Sequence, residues 1–569
     1  MDKRTLLAFG LIGIIIFLMP HYFEYINPPT DDPFEMETTQ SEPSPAVPTP
    51  AQMLALPEES ARPVRSISPE TFEADSGNTE AMVNFTARTI EVETDKFVAT
   101  LSTRGGLITG WRLKEHYDQR GGQLELLGQG AGGLTTQMSG LSLDNLEFVP
   151  SREALFLQGD DQAELTLTTQ VNGKRVHKRI LFQGNRYRAE VSLAAEGLTA
   201  QDWMSLGWDG SIADTEASAG ADSYFGVATD LIVTLVGEEV EDWTADSIND
   251  EEVSMPSGRN VSWAAIRNAY FVAALMPRDE VIYDVSLSGA DLGDGRIKYG
   301  MKIRSQYPGE PLSFGLMVGP LSYSVLTKQE IDLYGRNTLA SLDELVQFGW
   351  AFFRPILRPM TILCIHTFSA LHNVLPNYGF VIIVFSVLVK VFLFPLTRKS
   401  TESMARMQEI QPQMTALREK HANDQTKLNT EMMKLYKDKK VNPLGGCLPM
   451  FLQAPIMFSL FNLFRNAIEL RQTGFVLWIT DLSKPDVIAV SGFDVHILPL
   501  LMSAAMFVQQ KMTMKDPKQA AMVYIMPVFM IWIFWDMSSG LVLYFTMYNL
   551  LSLFEQQALK YFKHDDETV

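Results

Sequence analysis

Cysteine is almost missing from this chain: 569 residues contain two, Cys364 and Cys447. Neither falls in the long acidic middle region, so packing and not a disulfide framework must hold that region together, even in an oxidising compartment. A glycine loop followed by Lys-Ser or Lys-Thr is also absent, which removes the usual phosphate cradle of a nucleotide hydrolase. The apolar C-terminal segments show no internal repeat, the feature expected of a small-solute transporter. Positive charge is scarce in the middle as well. Residues 27–345 sum to −25 in a chain whose total is −20, a balance unsuited to gripping DNA.

The apolar residues, 46% of the chain, are concentrated at the two ends. At residues 1–26, Lys3-Arg4 precede an apolar run over 6–19 that suits either a signal-peptide core or an anchor. Pro20-His21-Tyr22 stands where a small-residue cleavage pattern would, so the expectation is a retained transmembrane anchor with its basic end cytoplasmic. Residues 27–84 hold ten prolines and few large apolar side chains, the composition of a disordered tether.

Over residues 85–340 the period becomes two, as in Glu164-Leu165-Thr166-Leu167-Thr168 and in 187–193. Such alternation predicts half-buried antiparallel strands and a large β-sandwich. Asn172-Gly173 separates two such runs and predicts a two-residue hairpin, because both residues tolerate positive φ. The acidic cluster Glu238-Glu239-Val240-Glu241-Asp242 has no His or Cys beside it and reads as a solvated loop, not an acid/base pair. A membrane-anchored carbohydrate-active enzyme built on this sandwich is therefore the weaker reading.

Residues 341–374 are apolar but broken by Arg354-Pro355 and Arg358-Pro359, which fits an amphipathic interfacial helix with Phe352, Phe353, Ile356 and Leu357 in lipid. The first core transmembrane helix is expected over 375–397, with a clear span at 380–396. Residues 398–440 follow with ten Lys/Arg against six Asp/Glu, a basic loop that stays cytoplasmic. Their seam of Met407, Ile410, Met414, Leu417 and Leu428, Met432, Leu435 predicts a helical hairpin broken at 421–424. Four further core helices are placed in 441–560, at 447–467, 495–509, 521–535 and 541–559, before a cytoplasmic tail at 561–569. With the anchor this makes six transmembrane helices, several short enough to thin the bilayer.

Polar residues interrupt these spans. Lys390 would cost ~2.5–3.5 kcal/mol facing lipid, so it should face a polar cavity or partner, or else snorkel to the cytoplasmic surface. Ser386 lies one turn earlier on the same helical face. Gln453, Tyr544, Tyr548 and Asn549 either join Lys390 in a wet groove or hold helices together by ordinary interhelical bonds. A transporter with Lys390 as its substrate or proton site is the rival reading.

Phe394-Pro395-Leu396-Thr397, Gln411-Pro412, the run Val441-Asn442-Pro443-Leu444-Gly445-Gly446-Cys447-Leu448-Pro449, Asp481-Leu482 and Ser539-Gly540-Leu541-Val542-Leu543-Tyr544 closely resemble the YidC family. The resemblance implies a polytopic α-helical inner-membrane insertase, not an enzyme and without a cofactor or metal, with both termini cytoplasmic. It also implies a periplasmic β-supersandwich domain like that of sugar mutarotases, a likeness of fold that imports no sugar chemistry. Nascent membrane proteins would be its clients, and the ribosome, targeting factors and the Sec translocon its partners. They would use a hydrophilic groove containing Lys390, Ser386, Gln453, Tyr544, Tyr548 and Asn549, with Met457 on the apolar client path. The family usually has Arg where Lys390 stands, which keeps the charge but loses the bidentate grip. The chain also ends in acid at Asp565-Asp566-Glu567, where many members are basic.

Overall fold

The computed structural model describes residues 85–566 except 129–131, 211, 214–230, 237–238, 244–252, 255–260, 280, 282, 292–296, 335–341, 347–352, 423, 440, 442–447, 491 and 514–519. The expected anchor and tether lie outside the described residues.

Alternating segments between Thr89 and Pro320 form two large, almost wholly antiparallel sheets of eleven and nine strands. One apolar core joins their inner faces, with Phe97 of one sheet 6.4 Å from Phe182 of the other. The hairpin at Asn172-Gly173 connects strands Gln162–Val171 and Lys174–Gln183, with φ of 50° and 72° at the turn. Both values lie in the left-handed region that a right-twisted hairpin needs. Lys178 extends from this second strand into the core, where its ammonium donates to the carbonyls of Gly105, Gly106 and Leu134 at 2.7–3.1 Å. Three acceptors satisfy three N–H donors, although burial drags the group down to about 7.

The acidic cluster is not a loop. Glu239–Trp243 is the edge strand of the nine-stranded sheet, paired with Leu231–Val236, because Val240 and Trp243 pack on the core and charge is tolerated on a sheet edge. Glu238 itself lies outside the described residues.

Nine helices are described after the sandwich: α1 Tyr323–Tyr334, α2 Arg354–His372, α3 Tyr378–Glu409, α4 Gln411–Lys420, α5 Gln425–Asp438, α6 Leu448–Asn466, α7 Ile497–Thr513, α8 Ala520–Phe534 and α9 Ser539–Asp566. The first core helix does not end at 397. It runs unbroken into the basic segment to Glu409, so the hairpin proper is α4 and α5, pinned where Ile410 and Met414 meet Met432, Leu435, Tyr436 and Val441. Leu417 and Leu428 lie outside that cluster, because they fall at the turn end of the hairpin, away from Ile410 and Val441.

Helix α2 is two-faced: Phe353, Ile356 and Leu363 are exposed, whereas Thr361, Cys364 and Phe368 are buried. Leu357, expected in lipid, is also turned inward, and its carbonyl receives the Ser459 hydroxyl of α6 at 3.5 Å. Arg358 does not simply face water, since Asp343 and Glu344 of the preceding 3-10 turn hold it at 2.7 and 2.8 Å.

The loop after α6 docks the sandwich on the bundle. Ile468 enters the β core, Ser322 donates to Glu469, and Arg471 and Gln472 both donate to the Tyr117 carbonyl. His116 sits in this joint against Phe271, at 5.6 Å between rings. Burial, and then the cationic Arg471, press its pKa down from 6.5 to about 4. Between those values the unfolded chain binds the proton and the folded chain does not, so stability is complete above pH 6.5 and is lost as pH falls toward 4. Thermal unfolding in detergent should therefore show a loss between pH 6.5 and 4 that His116→Phe reduces; an unchanged pH slope in the variant would contradict this.

Candidate functional site: a buried polar spine between the core helices

Helix α3 begins with Asn377, whose side chain accepts from Gly379 N at 2.8 Å and donates to the Gly474 carbonyl at 2.9 Å. Gly379 lies directly against the Phe475 ring, where a Cβ would collide, so α3 is seated on the outer loop at its first turn. The opposite anchor is α9. Its start is tied to the loop at 481–484 through Ser539 to the Asp481 and Lys484 carbonyls and Gly540 N to the Leu482 carbonyl. Two of the short motifs quoted above thus meet at one joint.

From that joint α9 carries Tyr544, Tyr548, Ser552 and Glu555 at spacings of four, four and three, which is one helical face. That face looks at α3 and α6. Tyr544, fully buried, receives the Gln453 amide of α6 at 3.0 Å, and its ring stacks on Tyr548 at 6.3 Å. The Tyr548 ring lies 4.7 Å from Lys390 Nζ, within reach of a cation–π contact. Lys390 donates to Ser552 at 2.8 Å and forms an ion pair with Glu555 Oε2 at 2.6 Å, both side chains being about nine-tenths buried. Thr397 closes the chain by donating to Glu555 Oε1 at 2.8 Å.

Two of the expected residues stand outside this spine. Ser386 is fully buried but returns its hydroxyl to the Ile382 carbonyl, and Asn549 likewise bonds the Phe545 carbonyl of its own helix. Met457 lies one turn beyond Gln453 and is half-buried. Sequence reasoning missed Ser552 and Glu555. The signal was present, because the 4-4-3 spacing that starts at Tyr544 continues to Glu555, the one acid within the last apolar segment.

Within the resting bundle Lys390 is neutralised from across the helix interface, as an uncompensated charge there would be far costlier than a paired one. Among the described residues Gln453 Oε1 is buried without a hydrogen-bond partner, so the Tyr544 end of the spine keeps unused hydrogen-bonding capacity.

The outer surface of the bundle is apolar. Val391, Phe392, Ile525, Val528 and Phe554 are each more than 60% exposed, a surface suited to lipid and not to water. Among the described residues one helix holds an 18-residue window apolar enough to span alone, Tyr378–Pro395, with mean hydropathy 2.3.

Fold and site together define an integral membrane protein in which a helical bundle buries a polar spine beneath an external β domain. Its C-terminal residues 370–566 match the family described as 60Kd inner membrane protein, and residues 89–363 match the YidC periplasmic domain. The membrane protein insertase YidC of Prosthecochloris aestuarii is 30% identical over 97% of this chain and 94% of its own, and that of Chlorobaculum tepidum 29% identical over 100% and 96%. A crystal structure of an active YidC insertase with its first transmembrane domain resolved is similar over 82% of this chain and 92% of that chain, at 18% identity and a TM-score of 0.35. The chain belongs to the YidC family, as an inner-membrane protein with a periplasmic β domain and a helical core.

Removing the Tyr544 hydroxyl should strand the Gln453 amide. Tyr544→Phe is expected to cost about 1 kcal/mol of thermal stability in detergent, and Gln453→Leu in the same chain should recover part of it. Strictly additive losses in that double-mutant cycle would show the bond to be idle.

Proposed function

We propose that this protein inserts newly made inner-membrane proteins, alone or with the Sec translocon, through a hydrophilic groove built on the spine from Gln453 to Glu555. The observation that carries the reading is the placement of titratable and amide groups inside a bundle whose outer surface is apolar. Such groups stand in for part of the hydration that a polar client segment loses on crossing, which lowers a barrier without a chemical step.

Short helices would help. Helices α7 and α8 have 17 and 15 residues, so at 1.5 Å per residue they cover about 26 and 22 Å of a ~30 Å hydrocarbon core. Local thinning then shortens the path of the translocated segment. On this reading there are six spans counting the anchor, both termini are cytoplasmic, and the client's apolar helix leaves along Met457 toward lipid. Lys390 supplies the positive end of the groove.

The basic hairpin of α4 and α5 would receive chains from the ribosome or a targeting factor. Its exposed cations follow the cytoplasmic end of α3 after a single turn at Ile410, so on this reading a chain held there stands near the groove entrance. The rival transporter reading is disfavoured by the family assignment and leaves that hairpin without a purpose.

Purified protein in vesicles is expected to insert a ribosome-released single-span client that empty vesicles do not. Deleting 399–440 should abolish insertion while the β domain stays folded by circular dichroism, whereas deleting 85–326 should spare much of it. Full insertion by the assembled hairpin deletion would overturn the receiving role. Total loss on removing 85–326 from a correctly assembled protein would point to a function residing in the sandwich.

A further inference from the structure

The ion pair in the groove couples two helices that are far apart in sequence. Lys390 lies twelve residues into α3, about 18 Å from its outer end, and Glu555 lies sixteen residues into α9, about 24 Å from its outer end. Both therefore sit in the cytoplasmic half of a ~30 Å hydrocarbon core, where a client segment entering from the cytoplasm would first meet buried charge. A chain bearing a carboxylate meets an occupied cation there, not a free one.

We propose that Glu555 is the internal counter-ion which a client carboxylate displaces from Lys390, and that it thereby sets the charge preference of the groove. The inference rests on the insertase reading above.

The partners around the pair make such an exchange physically reasonable. Lys390 holds Ser552 and the face of Tyr548 in addition to Glu555, so it remains oriented when the carboxylate changes. Glu555 keeps its bond from Thr397, and it stands eleven residues before the cytoplasmic end of α9, on the side from which water has access. One carboxylate replaces another against the same ammonium, so the cation stays paired throughout, while the displaced Glu555 carboxylate keeps Thr397 and takes up water from the cytoplasmic side. Without Glu555 the empty groove would hold a bare cation, costly to the resting protein. With it, a neutral segment passes the pair unbroken, and an acidic segment gains Lys390 only by giving up the Glu555 pair, so Glu555 lowers the preference of the groove for acid. A purely structural clamp between α3 and α9 would use the same contacts but would treat clients of every charge alike.

The test uses full-length protein in proteoliposomes and three single-span clients that differ only in a short translocated segment carrying two Asp, two Asn or two Lys residues. The quantity read is the ratio of insertion rates between clients, which cancels a general loss of folded protein. In Glu555→Gln the Asp-to-Asn ratio should rise at least about fivefold over wild type, the lower end of ordinary coupling between sites. The double variant Lys390→Glu/Glu555→Lys keeps an ion pair, and so covers the case in which the single variant does not assemble; its preference should reverse, with the Lys client inserted faster than the Asp client. Ratios within twofold of wild type in either assembled variant would overturn the exchange and leave the clamp. Wild-type protein that inserts none of the three clients would remove the insertase reading and the exchange together.

Discussion

A charge can be kept inside an apolar bundle only if it is paired, and this rule organises the core of the molecule. Lys390 on α3 obliges α9 to bring Glu555, Ser552 and the Tyr548 ring to the same level. That level is fixed in turn by the outer joints, where Asn377 and Gly379 seat the start of α3 and Ser539 and Gly540 seat the start of α9. Both joints lie on the loop that follows α6. The short motifs shared with the YidC family thus act less as reactive groups than as spacers that set the depth of the polar spine.

The same loop carries the β domain. Ile468 in the sandwich core and the donors of Arg471 and Gln472 to Tyr117 make the β domain and the bundle meet at this one loop. Lys178, by contrast, with its three carbonyl acceptors, ties the two sheets to each other and reaches nothing outside the sandwich. It is a structural charge, whereas Lys390 lies in the spine along which we propose that clients pass.

Much of this was legible in the residues. Period-two alternation marked several of the strands and Asn172-Gly173 placed one hairpin turn to the residue, because both follow from local steric rules. The apolar runs likewise marked the core helices. Three features were not local and were therefore missed. The edge strand at Glu239–Trp243 looked like a loop because its charges outweigh the two apolar residues that dock it. The inward turn of Leu357 depends on α6, which arrives a hundred residues later. Glu555 was the largest omission, since a lone acid near a helix end reads as interfacial until α3 places Lys390 beside it.

The central claim is that clients travel along the spine between α3, α6 and α9. Site-specific photo-crosslinking to ribosome-bound nascent membrane proteins tests it most directly, with the crosslinker at Met457 beside the spine or at lipid-exposed Val528 on α8. The account predicts strong client adducts from 457 that shift along the client as its chain lengthens, and weak, length-independent ones from 528. Equal adducts from both positions, or none from 457 while the protein is active in insertion, would contradict it.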